Sequence, residues 1–234
     1  MRIASFRPEE HALETVEKMR KHGFEAVNVP MIRTSVMEVQ VRNADFTVVT
    51  SQTSARISTE RGLLRGNVIA IGPKTARIIR EYGYDVRIPS KFDSETLYFE
   101  FREELKGKRV NLLRSDRGDP VLYRLSEFCD LREYVLYRIE VLRGEEQREI
   151  VREVFDGRFD ALIFTSSMIV EGFMANLNDT FSGMKSMTEL EDVLVIAIGP
   201  PTARKLRKYG IEPLVPDNYT VDGVIELLKR LQRA

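Results

Sequence analysis

The chain has 234 residues, 43% of them hydrophobic and 31% charged, and its 36 basic side chains balance 36 acidic ones. This composition is typical of one large folded domain or two small ones, and the zero net charge argues against the broad basic face that binds nucleic acid. A single cysteine, Cys129, and two histidines exclude an internal disulfide framework and disfavour a zinc site, so we expect a cytoplasmic protein.

Short apolar runs alternate with charged helical stretches along the chain. Helices are predicted at residues 8–21, 52–58, 73–82, 94–105, 119–129, 168–175, 200–209 and 220–231. This alternation is typical of βαβ units, whose parallel sheet is covered by helices on both faces. Pro73 and Pro200 suit the first turns of their helices. Gly83 and Gly210 stand at helix ends, where a positive φ is expected.

One block of sequence occurs twice. VIAIGPKTARIIREYGYDVRIP (68–89) and VIAIGPPTARKLRKYGIEPLVP (195–216) align without gaps at an offset of 127, with 13 identical positions. ADFTVVTSQTSARI (44–57) parallels FDALIFTSSMIVEGF (159–173), and a weaker unit recurs near the start and from Arg109. These repeats indicate an internal duplication.

The order of the repeated segments predicts the domains. The weaker and the clearer repeat alternate along the chain: weaker (1–30), clearer (44–105), weaker (109–138) and clearer (159–233). The clearer unit at 44–105 can form a domain either with the weaker unit before it or with the weaker unit after it. The short KGK connection after residue 105 favours a continuous domain, 36–141, and a discontinuous one, 1–35 with 142–234. We therefore predict an α/β fold with two flavodoxin-like parallel-sheet domains of about five strands each, joined by a two-stranded linker.

Polar residues follow the predicted strands, where open parallel sheets bind ligands. Helix N-terminal N–H groups and nearby hydroxyls there can hold carboxylates or phosphates, which suggests a cleft for a multiply anionic ligand of moderate size. The same hydroxyls can be ordinary N-caps, and duplication would copy caps as well, so both interpretations stay open. The candidate binding residues are Arg7, Thr50, Ser51, Gly72, Thr75, Arg114, Thr165, Ser166, Ser167, Gly199 and Thr202.

Other motifs are absent or misplaced. GPKTA lacks the spacing of a phosphate-binding P-loop, and no GxGxxG follows the first strand. Asp45 and Asp160 precede strands and so lie at the wrong end of a sheet, while Cys129 is expected in the core. No apolar run approaches the roughly 18 residues of a membrane span, and the start of the chain does not resemble a signal peptide. We therefore expect no membrane contact.

The motifs FTSSMIVEGF and AIGPPTARKLRKYGIEPLVPDNYTVDGVIELL, and their counterparts FTVVTSQTSARI and AIGPKTARIIREYGYDVRIP, resemble those of the uroporphyrinogen-III synthase family. The resemblance covers the whole chain in order. Two departures are Pro201, where many members carry a hydroxyl residue, and SDRGDP after Arg114, where a shorter Arg-Gly turn is common. The resemblance implies two α/β domains and a reaction without cofactor or metal.

The substrate that this resemblance implies is hydroxymethylbilane, a linear tetrapyrrole with eight carboxylates. The family removes water from it, inverts its ring D and closes it to uroporphyrinogen III. The resemblance makes Tyr137, in the linker, the candidate proton donor to the leaving hydroxyl, and the binding residues above the candidate carboxylate contacts.

Two other classes remain open. One is a non-enzymatic two-domain binding protein for a multiply anionic small ligand, and the other is a scaffold that keeps only the fold. Turnover of hydroxymethylbilane separates them from the enzyme. We expect a monomer, because no further apolar face is apparent in the sequence, and neither nucleic acid nor a membrane as partner.

Overall fold

The chain is divided into two compact units. The computed structural model describes residues 1–190 and 192–232. The first unit comprises Met1–Arg33 and Glu140–Ala234, and the second comprises Thr34–Ile139. Each boundary of the predicted domains lies two residues from these divisions.

Strands and helices alternate as the sequence predicts. Before residue 106 the elements are β1 (Arg2–Ser5), α1 (Glu9–Lys21), β2 (Glu25–Asn28), β3 (Ile32–Val36), β4 (Phe46–Val49), α2 (Gln52–Glu60), β5 (Asn67–Ala70), α3 (Pro73–Glu81), β6 (Val86–Arg87) and α4 (Ser94–Leu105). After it they are β7 (Arg109–Ser115), a 3-10 helix (Pro120–Glu127), β8 (Asp130–Val141), α5 (Glu145–Phe155), β9 (Ala161–Phe164), α6 (Ser167–Phe181), a short 3-10 helix (Met187–Glu189), β10 (Leu194–Ala197), α7 (Pro200–Arg207) and α8 (Val221–Leu231).

The first unit contains a parallel sheet of four strands in the order β10-β9-β1-β2. A fifth strand is reduced to a single parallel bridge between Ile196 and Leu214. If these strands are numbered 1 to 4 in chain order and Leu214 is counted as the fifth, their order across the sheet from β2 is 2-1-3-4-5. This is the strand order of flavodoxin.

The second sheet has six strands in the order β3-β8-β7-β4-β5-β6. The five strands from β8 to β6 pair in parallel. If these five are numbered 1 to 5 in chain order, starting with β4, their order across the sheet from β6 to β8 is 3-2-1-4-5. Corresponding segments of the repeats occupy corresponding places in the two sheets, because β4 and β5 lie as β9 and β10 do, and β7 and β8 as β1 and β2 do. The predicted parallel α/β class is confirmed.

Apolar runs and glycines in the sequence account for the buried central strands and for the ends of two helices. The residues of β4 and β9 are buried throughout, as expected for strands covered on both faces. Gly83 and Gly210 have φ of +85° and +78°, so the predicted left-handed helix ends are confirmed.

Two predicted helices were wrong in detail. The stretch expected as a helix at 119–129 is a 3-10 helix, Pro120–Glu127. The helix expected to end at 175 continues to Phe181, and within this extension Asn176 is buried and donates its side-chain amide to the carbonyl of Leu142. Within the described residues, no helix combines the length and apolarity needed to cross a membrane.

Candidate functional site

The predicted binding residues lie beyond the carboxyl ends of the central strands. In each sheet the strand order reverses once, between β9 and β1 in the first unit and between β4 and β7 in the second. Ligands of doubly wound sheets bind at this point. Ser5 pairs with Ile163, which places Arg7 and Thr165 at the same level beyond the first sheet. Thr50 directly follows β4 in the second.

Two of the candidate serines cap helices. Ser51 Oγ accepts a hydrogen bond from the N–H of Ser54 at 3.0 Å, and Ser166 Oγ accepts one from the N–H of Ile169 at 3.2 Å. These bonds begin α2 and α6, and they fill acceptor positions that a ligand's donors would otherwise use. The capping interpretation, left open by the sequence, therefore applies to both serines.

The N-termini of α3 and α7 are different, because glycine stands at both N-caps. Gly72 and Gly199 are extended, and neither helix has a side-chain hydrogen bond at its N-cap. The first turn of α3 presents the N–H groups of Lys74 and Thr75. In α7, Pro200 and Pro201 have no N–H, so Thr202 alone donates from the corresponding positions. These amides suit an anionic ligand, and α3 offers one more of them than α7.

Thr75 and Thr202 stand at the third position of these two helices. Both residues are almost fully buried, with exposed fractions of only 5% and 3%. A threonine hydroxyl can donate one hydrogen bond and accept others. The pair therefore adds potential hydrogen-bonding groups to the first turns of α3 and α7.

Arg7 is a half-buried cation without a carboxylate partner in the described part of the chain. Its Nη1 donates to Thr15 Oγ1 at 2.8 Å, while its Nε is buried and unpaired. Desolvation by burial lowers the pKa of Arg7, against the smaller opposing influence of Glu14 and Glu10. A desolvated guanidinium of this kind is suited to bind a carboxylate from outside.

Arg114, the counterpart of Arg7 in the second unit, is internally satisfied. Its side chain is 2% exposed, its Nε donates to the carboxylate of Glu133, and its Nη1 donates to the carbonyl of Asp119 at 2.6 Å. The guanidinium also lies 4.3 Å from the ring centroid of Tyr123. This geometry favours a structural role, in support of the loop after β7, over the substrate contact expected from the sequence.

The difference between the two arginines comes from one register position. Leu112 of β7 pairs with Glu133, and the matching Ser5 of β1 pairs with Asn28. The amide of Asn28 bonds to the backbone N–H and carbonyl of Arg7 and brings no charge. The carboxylate that neutralises the second arginine thus has no equivalent beside the first.

Tyr137 lies at an irregularity in β8. Arg114 pairs with Val135 and Ser115 with Tyr137, so β8 carries one extra residue at this point. Such bulges turn side chains in a new direction and occur beside active sites. The Tyr137 ring is 6% exposed in the core of the second unit, and its hydroxyl lies 3.0 Å from Ser51 Oγ. The structure therefore brings together two of the candidate residues.

Asp116 binds β8 at two points directly after the bulge, and sequence reasoning missed it. Its N–H donates to the carbonyl of Tyr137 at 3.2 Å, and its Oδ1 accepts from the N–H of Ile139 at 3.0 Å. The only signal was the unusual SDRGDP segment, which was noted as a departure without a role. Asp116 is thus a positioning group for the Tyr137 backbone.

In the first unit, the N-termini of α6 and α7 are neighbours. Ser167 Oγ donates to the carbonyl of Pro201 at 3.2 Å, and Lys205 forms an ion pair with Glu171. The hydrogen bond to Glu171 raises the pKa of Lys205. The candidate segments 165–167 and 199–202 therefore meet at one edge of the sheet.

The residues set aside by the sequence lie away from this edge. Asp45 binds the backbone and side chain of Arg109 at the amino end of the second sheet, and these hydrogen bonds lower its pKa to about 2. Burial raises the pKa of the Cys129 thiol to about 11, which disfavours a nucleophile. Within residues 1–190 and 192–232, no group of three or more His, Cys, Asp or Glu is arranged to hold a metal ion.

The chain resembles known proteins along its whole length. Residues 14–226 match the family model for uroporphyrinogen-III synthase HemD. A putative uroporphyrinogen-III synthase of Archaeoglobus fulgidus is 46% identical over 229 residues, with 98% of each chain covered. One from Methanocaldococcus jannaschii is 26% identical, with 99% of each covered.

Two solved structures share the fold. A mutant uroporphyrinogen III synthase of Thermus thermophilus has a TM-score of 0.73 at 21% identity, with all of both chains covered. The uroporphyrinogen-III synthetase of Helicobacter pylori has a TM-score of 0.59 at 17% identity, covering 99% of this chain and 100% of that one. At these identities the likeness concerns the fold alone.

Proposed function

The chain belongs to the uroporphyrinogen-III synthase family, and we propose that it binds its substrate by carboxylates at the carboxyl ends of its parallel strands. It is a cyclising lyase, which converts hydroxymethylbilane to uroporphyrinogen III with loss of water and inversion of ring D. The observation that carries the proposed binding mode is the set of unpaired donors at these edges. Arg7 Nε and the first-turn amides of α3 and α7 have no side-chain partner among the described residues.

The substrate supplies the electrons for its own rearrangement. The pyrrole that carries the hydroxymethyl group uses its nitrogen electrons to expel the hydroxyl, which leaves as water, and this ring becomes an azafulvene. The substituted carbon of ring D attacks this methylene and forms a spiro intermediate. The bond between the spiro carbon and the methylene bridge to ring C then breaks, and that methylene closes onto the free α-carbon of ring D, so that ring D is inverted. Loss of the proton from this carbon restores the pyrrole. Without protein, the bilane closes to the uninverted isomer, so holding the folded conformer is the main task.

We assign Tyr137 as proton donor to the leaving hydroxyl. Its O–H lies in a chain with Ser51 and Ser54, whose hydroxyl oxygens are 2.9 Å apart. When the phenol gives its proton to the hydroxyl, Ser51 can turn its own O–H toward the phenolate oxygen and stabilise it. Ser51 then has two functions, as cap of α2 and as partner of Tyr137.

The remaining candidate residues contribute unequally. Arg7, Thr75 and Thr202, with the backbone at Gly72 and Gly199, are the proposed carboxylate contacts. Thr50 and Thr165 lie at the same edges and complete the set, while Ser166, Ser167 and Arg114 maintain the local structure. Because many of the contacts are backbone N–H groups, single threonine substitutions are expected to have modest effects.

The direct test is product analysis. The purified protein is supplied with hydroxymethylbilane, the product is oxidised, and the porphyrin isomers are separated. The type III isomer is expected, with heat-denatured protein as the control for uncatalysed closure to type I. Type I alone would overturn the assignment, and binding without turnover would identify a binding protein for anionic ligands instead.

We also propose that the two units are the domains of a cytoplasmic monomer that acts without cofactor, nucleic acid or membrane. The single cysteine and the zero net charge support this proposal. Size-exclusion chromatography with light scattering tests the oligomeric state. A dimer mass at micromolar concentration would contradict it.

A further inference from the structure

An aromatic ring lies against each of the two glycine N-caps. A Cβ placed on Gly72 would lie 3.0 Å from Phe92 Cβ and 3.3 Å from its Cγ. One placed on Gly199 would lie 3.3 Å from Tyr219 Cγ. Each ring therefore occupies the space directly beside the first turn of α3 or α7. Glycine is needed at both caps, because a side chain there would push the ring away.

Both rings are held in place and yet exposed. Phe92 and Tyr219 are 58% and 48% exposed. Each is followed directly by a helix N-cap, Asp93 for α4 and Thr220 for α8, whose side chains accept from backbone N–H groups at 2.7 and 3.1 Å. The caps fix the backbone at the ring, so the exposed face keeps its place beside the neighbouring first turn.

The two aromatics are equivalent in the duplication. Phe92 and Tyr219 are separated by the same offset of 127 that relates the repeated blocks. The sequences around them differ, PSKFDSETL (89–97) against PDNYTVDGV (216–224), but an aromatic residue stands at the matching position in both. An exposed ring in one copy is ordinary. Here an aromatic ring lies beside the equivalent glycine in both copies although the surrounding sequences have diverged, which favours a function shared by the two copies.

The chemistry of the site suggests that cause. First-turn N–H groups of α3 and α7 suit a carboxylate, and each of these turns holds an almost fully buried threonine, Thr75 or Thr202. A flat apolar face stands next to them. The proposed substrate combines the same two features, because each pyrrole is a flat, electron-rich ring with carboxylate side chains. Aromatic rings stack in offset or edge-on arrangements with centroids about 4.5–7 Å apart.

We propose that Phe92 and Tyr219 are positioning residues, each of which packs against a pyrrole ring of the bound tetrapyrrole whose carboxylate is held by the adjacent helix N-terminus. This rests on the proposed binding mode and adds ring recognition to it. Each contact would bind one pyrrole face before reaction and so add to substrate affinity.

The kinetic test removes the aromatic faces. Phe92→Leu and Tyr219→Leu keep an apolar side chain and are each expected to raise KM about fivefold to tenfold, with kcat within about twofold, because the lost contact is made before reaction. Phe92→Tyr and Tyr219→Phe are expected to keep KM within about twofold of the parent. The matched control is Tyr82→Leu, since Tyr82 is 52% exposed and lies at the opposite end of α3.

A spectroscopic test does not depend on turnover. The chain contains no tryptophan, so Phe92→Trp, Tyr219→Trp and the control Tyr82→Trp each introduce a single tryptophan, which can be excited selectively over the tyrosines. Addition of uroporphyrinogen III under anaerobic conditions is expected to quench the first two strongly and the control only weakly. Citrate, a polycarboxylate without pyrroles, is expected to quench none of them.

The outcomes separate this proposal from the one on which it rests. If the parent forms the type III isomer while both leucine variants keep the parental KM and the fluorophores at 92 and 219 respond like that at 82, ring recognition is wrong and the function stands. If the parent forms only type I, the assigned function itself fails.

Discussion

The two equivalent arginines give the sharpest test of the proposed site, because their surroundings differ and we propose opposite roles for them. Arg7→Met and Arg114→Met make the same change of charge and shape. Arg114 is 2% exposed and paired with Glu133, whereas Arg7 has no carboxylate partner among the described residues. The first substitution should therefore affect substrate binding, and the second should affect stability.

The size of each change in the free energy of unfolding depends on the groups that lose their partner when the arginine is replaced. Arg114→Met leaves the Glu133 carboxylate without its cation, which costs about 3 kcal/mol, the lower end for a broken buried pair, because that side chain is 24% exposed and keeps a hydrogen bond from Tyr123. Arg7→Met removes one hydrogen bond to Thr15 and relieves an unpaired Nε, so it changes the free energy of unfolding by about 1 kcal/mol at most.

The kinetic effects are expected in the opposite order. A hydrogen bond from a guanidinium to a substrate carboxylate is worth about 1.5–3 kcal/mol, so Arg7→Met should raise KM by about ten- to hundredfold. Arg114→Met should leave KM within about threefold at a temperature where the variant is folded.

Thermal unfolding followed by circular dichroism, and initial rates of type III formation, measure the two effects. At about 2–4 °C per kcal/mol for a chain of this size, Arg114→Met should lower Tm by about 6–12 °C and Arg7→Met by less than about 4 °C. A parental KM for Arg7→Met, or equal losses of Tm in both variants, would refute the division of roles.

Three further predictions concern single groups. Tyr137→Phe should lower kcat about a hundredfold without abolishing activity, as loss of a proton donor does, and an unchanged kcat would remove Tyr137 from the mechanism. Pro201→Ser restores a first-turn N–H to α7 and should lower KM about threefold, whereas a raised KM would show that no carboxylate binds beside Thr202. Asp45 should titrate near pH 2 by NMR, because Arg109 depresses its pKa in the folded state. Its stabilising contribution is then complete above about pH 4 and lost as the pH falls through about 2, and Asp45→Asn should remove this acid dependence. A titration midpoint at the usual value would contradict the pairing.

The sequence predicts the features that depend on local patterns. Alternating apolar runs and helices give the parallel α/β class, and the repeats place the candidate residues at the carboxyl ends of strands. Positive φ at Gly83 and Gly210 follows from their position after a helix. These features need only neighbours along the chain, which the sequence displays directly.

Features that depend on pairing between strands could not be predicted in this way. The partner of Arg114 is 19 residues away, and nothing in the sequence distinguishes Glu133 from a solvated acid until the register of β7 and β8 is known. The direction of Tyr137 depends on one extra residue in β8, and a shift of one residue reverses the face on which a side chain lies. The extension of α6 past residue 175 carries Asn176, whose partner, the carbonyl of Leu142, is 34 residues away in the chain.

In the proposed binding mode, the differences between the two copies allow a duplicated protein to act on one ring in four. Two identical sites would bind the similar pyrroles of the bilane interchangeably, and no single ring would be selected. Asn28 occupies the position in the first unit that Glu133 occupies in the second, so Arg7 has no carboxylate beside it there. Pro201 lacks the backbone N–H that Lys74 provides at the same position of α3. The proposed donor Tyr137 lies in the second unit. We therefore expect selectivity for ring D to depend on these unequal positions, so that Asn28→Glu, which would pair Arg7 internally, lowers the share of type III product. Its Tm is also expected to fall, because the Asn28 amide no longer donates to the Arg7 carbonyl, so the isomer ratio is measured at a temperature where the variant is folded. An unchanged isomer ratio would show that selectivity resides in the shared features instead.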